Sequence, residues 1–348
     1  MNKTHEVKAG LEGVIVAETR LSEVDGTAGE LLIQGCRLEQ FTGLGYEGAA
    51  ARLLGDKADL TRGRQEAYSA LLPFLGLLNG RSPVEALRLG LAALPSDSLP
   101  EVIAGSLPTL LAAAHHGAST PPPNPAQSYV EDLLTRRFSA SDGSASTAEV
   151  EALSCYLTTV AEHGMNASTF TARVIASTGA PLLDAVGGAL SALKGPLHGG
   201  APGPVLDLLD EMAPHDRAGR LLEALLEKTR QGQRLMGFGH RIYRTRDPRA
   251  DVLKGALAGL SGSPRLELAQ RVEGAALEAL RIAKPNRPLD TNVEFYTAVL
   301  LDRLGFSREE FTPLFATGRV LGWLAHALEQ RELGRLIRPD SVYVGPRP

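Results

Sequence analysis

Cysteine is scarce in this chain: Cys36 and Cys155 are the only two among 348 residues, far apart and without CxxC spacing. That excludes a disulfide framework and a cysteine-type structural zinc site, and it fits a reducing compartment. An excess of either charge is missing too. With 36 Lys and Arg against 40 Asp and Glu, the net charge is -4, so no broad positive field attracts nucleic acid and an anionic ligand has to be met by local arginine clusters. No run approaches the roughly 18 uninterrupted apolar residues of a membrane span, and the leading MNKTHEVKAGLEG lacks the apolar core of a signal peptide. The expectation is a cytoplasmic protein that binds neither nucleic acid nor membrane. No repeat recurs at a fixed period, which excludes a solenoid. What is present, 43% hydrophobic and 22% charged residues, is the composition of a globular chain long enough for two domains.

Residues 14–34 are rich in Val and Ile, alternate loosely and contain the turn-forming pair Asp25-Gly26, so two or three short strands are expected there. Beyond them, apolar residues recur at i, i+3, i+4 and i+7 in segment after segment: 46–54, 64–78, 83–94, 99–116, 128–138, 149–164, 166–178, 184–194, 204–212, 217–232, 250–260, 264–284, 291–305 and 312–330. The chain reads as all-α apart from the short N-terminal strands. Ser146 or Thr147 is placed to cap the helix running towards His163, and Gly164 to take a left-handed conformation at its end. The stretches 117–127, rich in proline, and 139–147, rich in Ser and Gly, read as loops.

Within this helical pattern KGPLHGGAPGP, residues 194–204, cannot lie in a helix interior, where glycine costs about 1 kcal/mol and proline about 3. It carries His198. His163 stands before Gly164 and His240 after Gly239, so three histidines share one setting in which glycine lets a ligand approach closely. Singly, each reads as an ordinary structural histidine. Their recurrence points to a site, whereas His5, His115, His116, His215 and His326 lack the setting and read as structural or solvent-facing. No HExxH pair supports metal binding, no GxSxG elbow supports a nucleophilic serine, and neither a P-loop nor a dinucleotide fingerprint occurs. General acid–base chemistry on an anionic substrate is what remains, needing imidazoles, a carboxylate base and arginines that grip carboxylates. Four arginines, Arg241, Arg244, Arg246 and Arg249, fall within residues 238–249; Glu294, Arg319 and Arg338 follow. Arg319 lies in an otherwise apolar helix and needs a partner if buried.

KGPLHGGA (194–201), MGFGHRIYRTRDPRA (236–250), NVEFYTAVLL (292–301), FATGRVLGWLAHALEQ (315–330) and RLIRPDSVYVG (335–345) resemble the signature blocks of the citrate synthase family, in order and with the usual separations. Residues 10–35 and 161–178 resemble two further blocks, so the likeness runs over nearly the whole chain. The resemblance implies an all-α, citrate-synthase-like homodimer, with a large helical domain formed by 1–199 and 307–348 and a smaller inserted helical domain over 200–306. It implies condensation of acetyl-CoA with oxaloacetate, followed by thioester hydrolysis to citrate and CoA, with no permanently bound cofactor and no metal. Acetyl-CoA or propionyl-CoA is the implied cosubstrate.

By the same resemblance His198 donates to the forming enolate oxygen, Glu294 is the base, His240 polarises the oxaloacetate carbonyl and His163 orients that substrate. Arg249, Arg319 and Arg338 grip its carboxylates, Arg338 from across the dimer interface, and Arg244 faces CoA phosphate. One departure stands out: most known members have aspartate where this chain has Glu294. The alternatives left open are a 2-methylcitrate synthase using propionyl-CoA and a weakly active or non-catalytic regulatory paralogue.

Overall fold

The computed structural model describes residues 8, 10–138, 145–196, 198, 202–260, 262–287 and 289–346. The glycines that flank His198, the expected domain boundary at 199/200 and most of the 139–147 loop lie outside them. Fifteen α-helices form among the described residues: α1 (Leu38–Thr42), α2 (Gly45–Leu54), α3 (Leu60–Leu71), α4 (Pro83–Ala93), α5 (Pro100–His116), α6 (Tyr129–Phe138), α7 (Thr147–Thr159), α8 (Ala167–Ala176), α9 (Leu182–Leu193), α10 (Pro202–Arg217), α11 (Leu221–Arg230), α12 (Pro248–Ala258), α13 (Pro264–Ala283), α14 (Val293–Arg303) and α15 (Arg308–Leu333). None is long and apolar enough to cross a membrane.

Two helices are buried on every side and organise the rest. In α5 every residue from Glu101 to Ala114 is buried, and in α15 every residue from Pro313 to Ala327. A helix apolar all round belongs in a core, and these two have helices packed about them: α3, α4 and α6 lie against α5, and α2, α4, α7, α8 and α9 against α15. A second cluster joins α10, α11, α13, α12 and α14, and α12 also packs on α7.

The N-terminal strands β1 (Ser22–Asp25), β2 (Glu30–Ile33) and β3 (Cys36–Arg37) form one antiparallel sheet in that order, with Ser22 opposite Ile33 and Asp25 opposite Glu30. The expected turn is at Asp25-Gly26, where the Asp25 carboxylate accepts from the Thr27 and Ala28 amides at 2.8 Å each. Residues 14–19, expected within the strand region, form no strand, and the third strand falls beyond it at Cys36. The helix expected over 64–78 breaks: α3 stops at Leu71 and Leu72–Leu78 continues as a 3-10 turn, because Pro73 has no N–H to offer. Ser146 does cap α7, accepting from the Glu149 amide, and Gly164 is left-handed at φ 62°. Yet α7 ends at Thr159, four residues before His163. The peeled segment spends its polar groups elsewhere: the Val160 carbonyl accepts from Arg319 Nε at 2.5 Å, and the Glu162 carboxylate accepts from the Gly164 amide and from Ser22.

Candidate active site

The arginine-rich segment after α11 is pinned to the segment that leads into α14. Gly239 N donates to Asp290 O at 2.7 Å, Asn292 N donates to Gly237 O at 2.9 Å, and Phe238 forms an isolated bridge with Thr291. Gly237 and Gly239 make this approach possible. Both are left-handed, and a Cβ would stand 2.7 Å from the Phe295 ring or 2.9 Å from Leu289. The pinning presents His240 and, at the start of α12, Arg249. Asp247 caps α12 and takes Arg249 in a fork, Nε to Oδ1 at 3.0 Å and Nη2 to Oδ2 at 2.8 Å, while Oδ2 also accepts the Val293 amide. Burial opposes the Arg249 charge, and the Asp247 carboxylate more than restores it.

His240 has its tautomer set by the backbone. Its Nδ1 accepts from the amides of Ile242 at 3.0 Å and Tyr243 at 3.1 Å, so the ring proton sits on Nε2. Arg249 Nη2 lies 3.3 Å from that Nε2. Two donors side by side cannot bond each other; they face a common acceptor. His163 completes the group, its ring centroid 5.6 Å from that of His240 and its Nε2 3.1 Å from the Tyr243 hydroxyl.

From the opposite side comes Arg319, 2% exposed near the middle of α15. Apart from the bond to Val160 O and a position 4.8 Å above the Phe315 ring, it has no carboxylate within ion-pair distance among the described residues. Burial lowers its pKa to about 10. A buried guanidinium without a counter-ion is costly, and an anionic ligand removes that cost. Behind it Glu162 accepts from His326 Nε2 at 3.0 Å, and His326 Nδ1 accepts from Arg173, which pairs with Glu329 at 2.7 Å. His326 is thus fully buried and structural.

His198 stands at the N-terminus of α8. Its Nε2 lies 3.3 Å from the Ser168 amide, which can only donate, and 2.8 Å from the Ser168 hydroxyl. The ring proton is therefore on Nδ1. Trp323 Nε1 donates to the same hydroxyl, fixing Ser168. Burial, then the Arg319 charge, lowers the His198 pKa to about 4; burial, then Arg249, lowers that of His240 to about 4. His163 is also held well below the usual range by burial and the neighbouring arginines. All three imidazoles are neutral at pH 7, each with one N–H to give.

Glu294 sits in the first turn of α14, its amide donating to the capping Asn292 side chain at 3.0 Å. Its Oε2 is buried with no hydrogen-bond partner among the described residues. Burial raises its pKa to about 7 against the pull of Arg249, with Asp247 adding to the rise and Arg319 opposing it. Such a carboxyl holds its proton more tightly folded than unfolded, so stability is greatest at low pH and falls as pH rises from the ordinary carboxylate range through about 7. Glu294→Gln is therefore expected to melt a few degrees above the native chain at pH 8 and by a much smaller margin at pH 5, by calorimetry.

Six of the eight site residues expected from sequence thus converge: His163, His198, His240, Arg249, Glu294 and Arg319. Arg244 is exposed beside them, held by its backbone amide to Gly26 O at 2.8 Å. Arg338 is exposed on the segment after α15, and among the described residues no hydrogen bond or ion pair joins it to the group. Sequence reading passed over Asp247, Tyr243, Asn292 and Ser168. Asp247 and Asn292 each immediately precede a helix that carries a site residue, a signal that could have found them.

The family model for citrate synthase, C-terminal domain, matches residues 10–340. Putative citrate synthase 2 of Mycobacterium tuberculosis (strain ATCC 25618 / H37Rv) is 50% identical over 216 residues, 62% of this chain, and the chain spans 57% of that relative's length. Citrate synthase of Acidithiobacillus ferridurans is 32% identical over 97% of this chain and 95% of its own. The crystal structure of citrate synthase from Thermotoga maritima MSB8 superposes with a TM-score of 0.82 at 33% identity, covering 98% of this chain and 96% of that one. The ternary complex of citrate synthase from Thermoplasma acidophilum with carboxymethyl coenzyme A and oxaloacetate gives 0.83 at 28% identity over 99% and 98%.

Proposed function

The chain belongs to the citrate synthase family, and from that premise we propose that it condenses the acetyl group of acetyl-CoA with oxaloacetate and hydrolyses the product to citrate and CoA. Glu294 carries the reading: its buried, unpartnered carboxylate oxygen and raised pKa are those of a base that needs a substrate proton. Glu294 takes a proton from the acetyl methyl group, and the electron pair moves into an enolate whose oxygen receives the Nδ1–H of His198. That donor is what makes so weak a carbon acid removable. The enolate carbon attacks the oxaloacetate carbonyl, whose oxygen accepts a hydrogen bond from His240 Nε2–H; the alkoxide that forms receives the proton Glu294 took, giving the hydroxyl of the citryl thioester and restoring the carboxylate. Arg249 and Arg319 hold the carboxylates, and His163, tied to Tyr243, keeps the substrate aligned. Water then cleaves the thioester. The ligands of the Thermoplasma acidophilum complex, carboxymethyl coenzyme A and oxaloacetate, support the substrate pair.

This reading divides the chain into a large domain (1–199 and 307–348) and a small domain (200–306), with the site between them. His163, His198 and Arg319 then come from one side and His240, Arg249 and Glu294 from the other. It makes the protein a cytoplasmic homodimer in which Arg338 reaches the partner's site, and Arg244, exposed at the rim, meets CoA phosphate. Its support is the exposed apolar character of the terminal segment, where Leu336, Tyr343 and Val344 face outward. CoA thiol release with oxaloacetate plus acetyl-CoA or propionyl-CoA is the direct test. Release with acetyl-CoA is expected; faster release with propionyl-CoA reassigns the chain to 2-methylcitrate synthesis, and release with neither overturns the reading. One methyl in an apolar pocket is worth about 1–3 kcal/mol, so the preference is measured, not read from the fold.

A further inference from the structure

We propose that the hairpin formed by β1 and β2 is a positioning element of the site, holding the His163 and His240 segments at a fixed separation; the inference rests on the function proposed above. The hairpin touches both. At its base the Ser22 hydroxyl donates to Glu162 Oε1 at 2.8 Å and accepts from the Gly164 amide at 3.1 Å, bracketing His163. Val24 packs beside the same glycine, where a Cβ would lie 3.3 Å from its methyl group. At the tip, Gly26 O accepts from the Arg244 amide at 2.8 Å. A Cβ on Gly26 would run into the Ile242 carbonyl, its carbon 2.9 Å away, and one on Gly29 would lie 2.7 Å from the Thr245 hydroxyl.

These contacts fall on the residues that orient His240. The Ile242 carbonyl shares its peptide with the Tyr243 amide, one of the two donors that fix His240 Nδ1, so that peptide cannot shift without disturbing the ring. Gly26 is not in a left-handed conformation, so alanine suits its own backbone and disturbs only the approach to Ile242. A displacement on the order of 1 Å at reacting groups can cost about a hundredfold.

Gly26→Ala is therefore expected to lower kcat/KM for oxaloacetate by about 10–100-fold while its melting temperature stays near that of the native chain. Thr27→Ala, at an exposed position of the same turn, should leave both unchanged. Hydrogen exchange of peptides spanning 240–246 supplies a readout independent of turnover: the Arg244 amide should be protected in the native chain and exposed in Gly26→Ala. A merely structural hairpin would lower the melting temperature and leave kcat/KM per folded molecule alone. Retained kcat/KM within about twofold, or unchanged exchange at Arg244, overturns the proposal. Should Gly26→Ala fail to fold, Ser22→Ala carries the kcat/KM and melting-temperature criteria at the other end. If the native chain releases no CoA, the proposed function fails, and the exchange measurement still decides whether the hairpin holds the segment.

Discussion

Glu294→Gln is expected to reduce CoA release by about a thousandfold or more while oxaloacetate still binds, the range for loss of a general base. Glutamine keeps the shape and the bond from the Glu294 amide to Asn292, so the fold of the α14 start is preserved. Arg249 and Arg319, the groups proposed to grip oxaloacetate, keep their own partners, Asp247 and the Val160 carbonyl. Titration calorimetry with oxaloacetate should give an unchanged affinity. Turnover that survives places the base elsewhere. In the native chain the acid limb of kcat/KM should fall near pH 7, where burial has moved this carboxyl, with activity rising as the proton leaves. Glu294→Asp is the companion measurement. It shortens the reach by one methylene, about 1.5 Å, a distance that matters at a reacting centre; faster turnover would mean that the native base is poorly placed.

His198→Ala carries the second largest effect, a fall in kcat of about 100–1000-fold, the magnitude found for removal of one oxyanion donor. Among the described residues no hydrogen bond of Arg249 or Arg319 involves His198, so the KM for oxaloacetate should change little. The structure further specifies which ring nitrogen donates. Since the Ser168 amide faces Nε2, the active proton is on Nδ1, and an asparagine amide lies closer to that position than a glutamine amide. His198→Asn should therefore retain more activity than His198→Gln. The reverse order would show that the ring turns on binding substrate.

The helical architecture was legible in the sequence because most segments carry a 3.6-residue apolar period with caps at their ends, as Ser146 shows for α7. What escaped was settled by tertiary contacts. The end of α7 at Thr159 could not be read from local propensity: the Val160 carbonyl is taken by Arg319, a residue 159 positions away. The break after Leu71 was written in Pro73 and simply outweighed by the apolar pattern around it. In the site, the glycine-flanked histidines and Arg319 showed themselves by an unusual residue in an unusual setting. Ser168 did not, since Ser within a first helical turn is ordinary, and only the partners it holds, His198 and Trp323, give it meaning. His326 had no glycine beside it and reads as structural, which its burial between Glu162 and Arg173 bears out.

The placement of α15 has a bearing on biosynthesis. This helix fills the middle of the larger helix cluster, yet it follows in chain order every helix named as packed against it. Helices α2, α4, α7, α8 and α9 emerge from the ribosome before the element they surround exists. Pairs such as α8 and α9 can assemble early from near neighbours, but their joint interior stays open until α15 has been made, as expected where contacts join distant parts of a chain. A nascent chain stalled before Arg319 would expose the cavity meant for α15, so chaperone dependence should be concentrated in the interval between the completion of α9 and that of α15.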